Sequence, residues 1–105
     1  MSDTGVPLTI TPSSDGIVVS GEVDASTVAS LVRFITPLPG ESGAVTVDMS
    51  GVSFMDSSGL RALVDAHREA ERSLRRLIIT NPSRVVVRLV DLSGLGDVLH
   101  VSQEG

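Results

Sequence analysis

The chain has 105 residues, which is enough for one domain and too few for two. It contains no cysteine, which excludes disulfides and thiolate metal sites, and no lysine, which excludes a lysine-dependent phosphate loop. The net charge of −5 argues against nucleic acid and anionic membranes as partners, because both bind basic surfaces.

The first part of the chain predicts a loose tail followed by a β-hairpin. Residues 1–6 are expected to form a flexible tail with no signal-peptide core. Residues 8–10 and 17–19 have the pattern of two short strands, and the turn-forming residues 13–16 separate them. No apolar run reaches the length of a membrane span, so a soluble cytoplasmic protein is expected.

An amphipathic helix is predicted next. From Val28, four apolar residues recur at i, i+3, i+4 and i+7, and the pattern ends before Pro37. Asp24 precedes this segment and is predicted to be the N-cap, because Asp is strongly favoured at that position. The same carboxylate could also contact a partner, and the two roles are compatible.

The middle of the chain predicts a strand–helix–strand unit. An apolar strand over residues 44–49 runs into a short turn, a helix with a clear apolar stripe begins near Leu60, and residues 77–80 form a buried parallel strand. Such a unit gathers functional groups at the carboxyl end of its first strand, where Asp56 and Ser57 lie. Ser57 is predicted at the N-cap, near free N–H groups and the positive end of the helix dipole. This position can hold a phosphate, although Ser57 could also be only a cap.

The last third of the chain predicts one more helix and a short final strand. Asn81-Pro82 indicates a helix start, and this signal outweighs the strand-like propensity of residues 85–90. Gly94 is the expected end of that helix. Residues 98–101 follow as a short strand or an extended tail.

The sequence argues against an enzyme. A serine hydrolase needs a histidine beside its serine, yet His67 lies on the apolar stripe of its helix, about 15 Å along the axis from Ser57. His100 is near the end of the chain and has no visible partner. Two distant histidines without cysteine predict no metal site, and no cofactor is expected. Asp48 is interpreted as an exposed strand residue.

The stretch Ser53-Phe54-Met55-Asp56-Ser57-Ser58-Gly59-Leu60 closely resembles the phosphorylation loop of the anti-sigma factor antagonists, small proteins of the STAS domain family. In that family a Ser or Thr directly after an Asp, at the start of a helix, is phosphorylated by a partner kinase. The resemblance implies that Ser57 is that residue here.

Two further segments resemble the family. Gly21-Glu22-Val23-Asp24 is similar to the Gly-Glu-Leu-Asp turn beside the family's phosphorylation loop, with Val in place of Leu. Ser93-Gly94-Leu95 is similar to a segment near its partner-binding face, although a plain helix stop explains it equally well. Arg61 is added as the charged side chain one turn from Ser57. The expected partner-binding residues are therefore Gly21, Glu22, Asp24, Asp56, Ser57, Ser58, Gly59, Leu60, Arg61, Ser93 and Gly94.

The resemblance implies an α/β fold of the STAS type over residues 7–103. The expected architecture is a mixed sheet of four to five strands, with three to four helices mainly on one face. It also implies an anti-sigma factor antagonist: the unphosphorylated form binds an anti-sigma factor with serine kinase activity and frees the sigma factor. Phosphorylation of Ser57 breaks that complex, and a serine phosphatase restores it. The alternative is a STAS module without phosphorylation, serving as a scaffold or accessory in a signalling or transport assembly.

Overall fold

The computed structural model describes residues 7–38 and 43–102. The predicted tail at residues 1–6 and the predicted domain end at residue 103 lie outside the described residues. Within that part of the chain, the strands are β1 (Thr9–Pro12), β2 (Gly16–Val23), β3 (Ala44–Met55), β4 (Arg76–Thr80) and β5 (His100–Ser102). The helices are α1 (Val28–Ile35), α2 (Ser57–Arg72) and α3 (Arg84–Ser93), followed by a 3₁₀ turn at Leu95–Asp97.

The described strands form one mixed sheet in the order β1-β2-β3-β4-β5. β1 pairs with β2 antiparallel, which confirms the predicted hairpin. The remaining neighbours are parallel, and α2 connects β3 to β4 as the predicted strand–helix–strand unit requires. Because the parallel strands follow one another in sheet order, right-handed crossovers bring their helices to the same side.

The sheet has one buried face and one that is more open to solvent. On β3, Val45, Val47 and Met49 are fully buried, whereas Thr46 and Asp48 between them are only partly covered. One hydrophobic cluster joins the buried strand residues to buried residues of all three helices. The expected arrangement, with helices mainly on one face, is therefore confirmed.

The strand β3 is longer than the sequence predicts. The apolar pattern predicts an end at Met49, followed by a short turn, yet the strand continues to Met55. Two register shifts against β2 accommodate the extra residues of β3, as β-bulges do. After them, Val52 and Met55 return to the buried face. The bulged second half of β3 thus carries the chain onward to α2.

Asp48 stabilises the first register shift between β2 and β3. Its Oδ1 accepts hydrogen bonds from the Ser50 N–H at 2.9 Å and from the Ser50 hydroxyl at 2.8 Å. Its Oδ2 accepts from the Asn81 side chain at 3.3 Å. Burial opposes ionisation of this carboxyl, but the combined effect of these hydrogen bonds is larger and lowers the pKa of Asp48 below its ordinary value of 3.8. Asp48 is therefore half-buried and bonded, and the prediction of a merely exposed strand residue is wrong.

The third helix confirms the prediction despite its β-branched sequence. It begins after Ser83, rather than at Asn81-Pro82, because Asn81 adopts a positive φ of 47° and its side chain bonds to Asp48. Gly94 ends the helix with a φ of 77°, in the left-handed region where glycine has no steric penalty. A final strand follows at β5, parallel to β4.

Candidate functional site

The first turn of α2 begins at the end of β3 and presents Ser57 to solvent. Asp56 is the N-cap: its Oδ1 accepts the Ser58 N–H at 2.9 Å. The Asp56 carbonyl accepts the N–H groups of Gly59 at 3.1 Å and Leu60 at 3.2 Å. The prediction that Ser57 is the N-cap is therefore wrong by one position. Ser57 is the first helical residue and is exposed. Asp56 caps the helix, so capping does not account for Ser57.

Gly59 and Leu60 support this turn from inside the domain. Both are buried, and a Cβ added to Gly59 would lie 2.7 Å from Val23 Cγ1 and 2.7 Å from Met55 Cγ. Such distances are well inside van der Waals contact, so only glycine lets the helix approach the ends of β2 and β3 this closely. Of the predicted contact residues in the turn, Ser57 and Arg61 are exposed, whereas Asp56 and Ser58 are half-buried.

The end of β2 lies directly beside this turn. Val23 pairs with Met55, and the Asp56 N–H donates to the Val23 carbonyl at 3.2 Å. Asp24 and Asp56 therefore leave neighbouring strands at the same edge of the sheet. Glu22, half-buried, is also on this strand end. Three acidic residues, Glu22, Asp24 and Asp56, thus lie in the two chain segments that meet at the Ser57 turn.

Asp24 is not the N-cap of α1; Thr27 occupies that position. The Oδ1 of Asp24 instead accepts hydrogen bonds from the Ser26 hydroxyl at 2.7 Å, the Ser26 N–H at 2.9 Å and the Thr27 N–H at 3.1 Å. The bonds from Ser26 are the main reason why the pKa of Asp24 falls below its ordinary value of 3.8. The carboxylate is therefore ionised at neutral pH, and it folds the chain into the turn that precedes α1.

Gly21 holds β2 under the first residues of the described chain. Its φ is 97°, and a Cβ there would lie 2.1 Å from the Pro7 carbonyl oxygen. Any larger residue would both strain the backbone and push Pro7 away. Gly21 is buried and does not form part of the surface itself. Its backbone conformation sets the direction in which the chain continues to Glu22 and Asp24.

An open groove of about 710 Å³ runs beside the Ser57 turn, between α1 and α2. Its walls are apolar near the core, and Ser57, Arg61, Asp65 and Arg68 form its polar part. Leu95 also lines it, which brings the predicted Ser93-Gly94 segment to the flank of the same surface. The Ser93 hydroxyl donates to the Val90 carbonyl at 2.8 Å, so this side chain also helps to end α3. Of the predicted residues, the groove is lined by Ser57, Ser58, Leu60 and Arg61.

Sequence reasoning missed a second polar cluster on α2. His67 and His100 were expected to be distant, but their rings lie 5.3 Å apart at 62°. Glu71, one turn after His67, joins them. The placement of His67 on the buried stripe is confirmed, since it is only 5% exposed. The one signal in the sequence was the predicted final strand: once β5 lies beside β4, and α2 packs on β4, position 100 comes within reach of α2.

The described helices include none that is both long and apolar enough to cross a bilayer.

Comparisons with known proteins agree with this architecture. The family model described as "Mlab, STAS domain" matches residues 6–101. An anti-sigma-B factor antagonist of Staphylococcus epidermidis is 35% identical over 86 residues, which cover 81% of this chain and 80% of that protein. The solved structure of the anti-sigma factor antagonist SpoIIAA in its unphosphorylated form is 28% identical, with a TM-score of 0.65, and the match covers 93% of this chain and 90% of that one.

The Bacillus cell fate determinant SpoIIAA in its phosphorylated form is also similar. It is 26% identical with a TM-score of 0.65, and the match covers 93% of each chain. The family model and the Staphylococcus relative each span most of the sequence. The chain therefore belongs to the STAS domain family.

Proposed function

We propose that this protein is an anti-sigma factor antagonist whose binding is switched off by phosphorylation of Ser57. The observation that carries the proposal is the exposed Ser57 at the first position of α2, with Asp56 doing the capping. Its hydroxyl is therefore not required for helix formation and can be modified. The similarity to anti-sigma factor antagonists, including one in a phosphorylated form, supports the same role.

The proposed partners are an anti-sigma factor with serine kinase activity and a serine phosphatase, all acting in the cytoplasm. The unphosphorylated protein binds the anti-sigma factor and frees the sigma factor. In the kinase reaction, the Ser57 oxygen attacks the γ-phosphorus of ATP, ADP leaves, and the hydroxyl proton is lost. ATP and Mg²⁺ belong to the kinase, and this chain acts as a binding protein and substrate rather than an enzyme.

The charge around Ser57 explains how a phosphate would break the complex. A phosphoserine adds about −1.5 to −2 charges at pH 7. That charge would stand next to Asp56 and near Asp24, which is ionised. Within a docked interface, unmatched and desolvated charge costs several kcal/mol, so we expect a loss of roughly 100-fold in affinity, about 2.7 kcal/mol.

The same geometry predicts that the fold itself does not change. The N-terminus of a helix favours an anion through its dipole, so a phosphate on Ser57 does not unwind α2. The solved structures of SpoIIAA in its unphosphorylated and phosphorylated forms each match this chain with a TM-score of 0.65, so both forms have the fold described here. The switch acts by charge and bulk at the surface.

Labelling with kinase and ATP, followed by peptide mapping with mass spectrometry, tests the site. We expect Ser57→Ala to abolish labelling and to keep anti-sigma factor binding, and Ser57→Asp to weaken that binding. Ser58→Ala is the matched control, because it removes the neighbouring hydroxyl and should leave labelling intact. Phosphate that remains on Ser57→Ala protein would overturn the assignment. Binding by a protein that no kinase labels would favour the alternative of a constitutive STAS scaffold.

A further inference from the structure

Outside the Ser57 surface, the described residues contain one cluster with the composition of a transition-metal site. His67, Glu71 and His100 each offer one ligand atom, and these atoms all lie within 4.8 Å of one another. His67 and Glu71 are one turn apart on α2, the i and i+4 spacing that directs two side chains to the same side of a helix. His100 reaches them from the first position of β5.

The buried imidazole of His67 lacks the partners that such a group normally has. Its Nδ1 is buried and makes no hydrogen bond. Its Nε2 lies 3.5 Å from Glu71 Oε2, which is long for a charge-assisted hydrogen bond of about 2.8 Å. Nε2 faces Glu71, so it is the nitrogen that a metal shared with Glu71 would bind, whereas Nδ1 points away from it and is not part of the site.

One distance in the cluster already matches the spacing of two ligands on a bound cation. Zinc binds nitrogen at about 2.0–2.1 Å and carboxylate oxygen at about 2.0–2.2 Å in a tetrahedron, which separates two ligand atoms by about 3.4 Å. The Nε2–Oε2 distance of 3.5 Å is close to that edge. Glu71 is exposed and His100 half-buried, so rotation of these side chains can bring all three ligand atoms to this spacing.

We propose that His67, Glu71 and His100 bind a divalent late transition-metal ion, with Zn²⁺ as the expected occupant. Two imidazoles and one carboxylate are a donor set that zinc uses, and the exposed side of Glu71 leaves room for water as the fourth ligand. The inference does not depend on the proposed function, because His67 is about 15 Å along α2 from Ser57.

The structural consequence is a tie between α2 and the last strand. β5 has three residues and pairs with β4 at the edge of the described sheet. A metal bound to His100 and to two residues of α2 would fix this strand to the body of the domain. We therefore expect metal binding to raise the thermal midpoint by several degrees and to slow amide exchange in β5.

Titration of the tag-free, full-length protein with ZnCl₂ tests the proposal. Calorimetry should give one ion per chain. The sequence contains only two histidines, so ¹⁵N spectra of the imidazoles can be assigned by single substitution, and both rings should shift together. His100→Asn and Glu71→Gln should each weaken zinc binding at least tenfold. These variants alter partly exposed residues and should fold, whereas His67→Gln changes a buried one.

Glu69→Gln is the matched control, because Glu69 lies on the same helix and pairs with Arg72 outside the cluster. Its zinc affinity should equal that of the wild type. The proposal is overturned if the wild-type protein shows no saturable 1:1 binding. Binding that persists unchanged in both His100→Asn and Glu71→Gln would overturn it too, since the ion would then be elsewhere.

Discussion

The first and third turns of α2 carry two polar sites that are built in opposite ways. At the first turn, Ser57 is exposed, and the neighbouring N–H groups are satisfied by Asp56. At the third turn, His67 is buried, and one of its nitrogens makes no hydrogen bond. The first site is a hydrogen-bonded turn with an exposed hydroxyl, whereas at the second site one buried nitrogen of His67 has no hydrogen-bond partner.

The two sites also differ in how visible they are in the sequence. Asp56 and Ser57 are adjacent, and the Ser57 turn depends on packing against strand ends immediately beside it. The second site joins His67 to His100, 33 positions away, only because β5 lies beside β4. Both sites therefore depend on contacts between distant segments, but only the Ser57 turn is also marked by adjacent residues in the sequence.

The largest effect is expected from Gly59→Val, which would break the close packing of the first turn. A Cβ at this position would lie 2.7 Å from Val23 Cγ1, and Val23 is fully buried and cannot move away easily. Overpacking of this kind costs about 1–3 kcal/mol. We expect that loss in the free energy of unfolding measured with urea, together with slower phosphorylation of the displaced Ser57.

Gly96→Val is the control for that experiment. Gly96 has open space around the position of an added Cβ, so the same substitution should change stability by less than about 0.5 kcal/mol. If Gly59→Val were as stable as the wild type, the first turn would not be held by Val23 and Met55. The contrast between a tightly supported first turn and an incompletely bonded third turn would then fail.

A smaller effect is expected from Asp56→Ala, which removes the cap of α2. The Asp56 side chain accepts the Ser58 N–H, and loss of such a cap typically costs about 1 kcal/mol. Asp56→Asn keeps an oxygen acceptor and should stay within a few tenths of a kcal/mol of the wild type. Urea denaturation measures both. Asp65→Ala, an exposed change on the same helix, should have little effect; an equal loss there would contradict a specific role for the cap.

Much of the fold was predictable because its signals are local. The apolar spacing from Val28 predicts α1, and the turn residues 13–16 predict the hairpin. The end of α3 at Gly94 was likewise predictable, because glycine adopts the left-handed conformation that ends many helices. The Ser57 turn was predictable to within one residue. The error there arose because Asp56 and Ser57 are both good caps, and the extended backbone at Asp56 decides between them.

The remaining features depend on contacts between distant segments. The continuation of β3 past Ser50-Gly51 requires pairing with β2 and the hydrogen bonds that Asp48 accepts from Ser50. Neither contact can be read from the local sequence pattern. Asp24 resembles an N-cap in sequence, yet it closes the turn before Thr27. The pairing of His67 with His100 needs the order of the strands in the sheet, which two isolated histidines do not reveal.

The smallest predicted effect concerns acid stability at the corner beside Ser57. Hydrogen bonds led by the Ser26 hydroxyl lower the pKa of Asp24 in the folded protein below 3.8. Between that folded pKa and 3.8 the unfolded chain binds more protons, so stability increases with pH. The contribution of Asp24 is therefore complete above pH 3.8 and is lost as the pH falls through the folded pKa.

Titration of the Asp24 carboxyl carbon by NMR measures the shift directly, and Ser26→Ala should move its midpoint upward. A wild-type midpoint at or above 3.8 would show that these hydrogen bonds do not favour the ionised form. In that case Asp24 would still be ionised at neutral pH, but its bonds to Ser26 and Thr27 would not stabilise the turn before α1 through that charge.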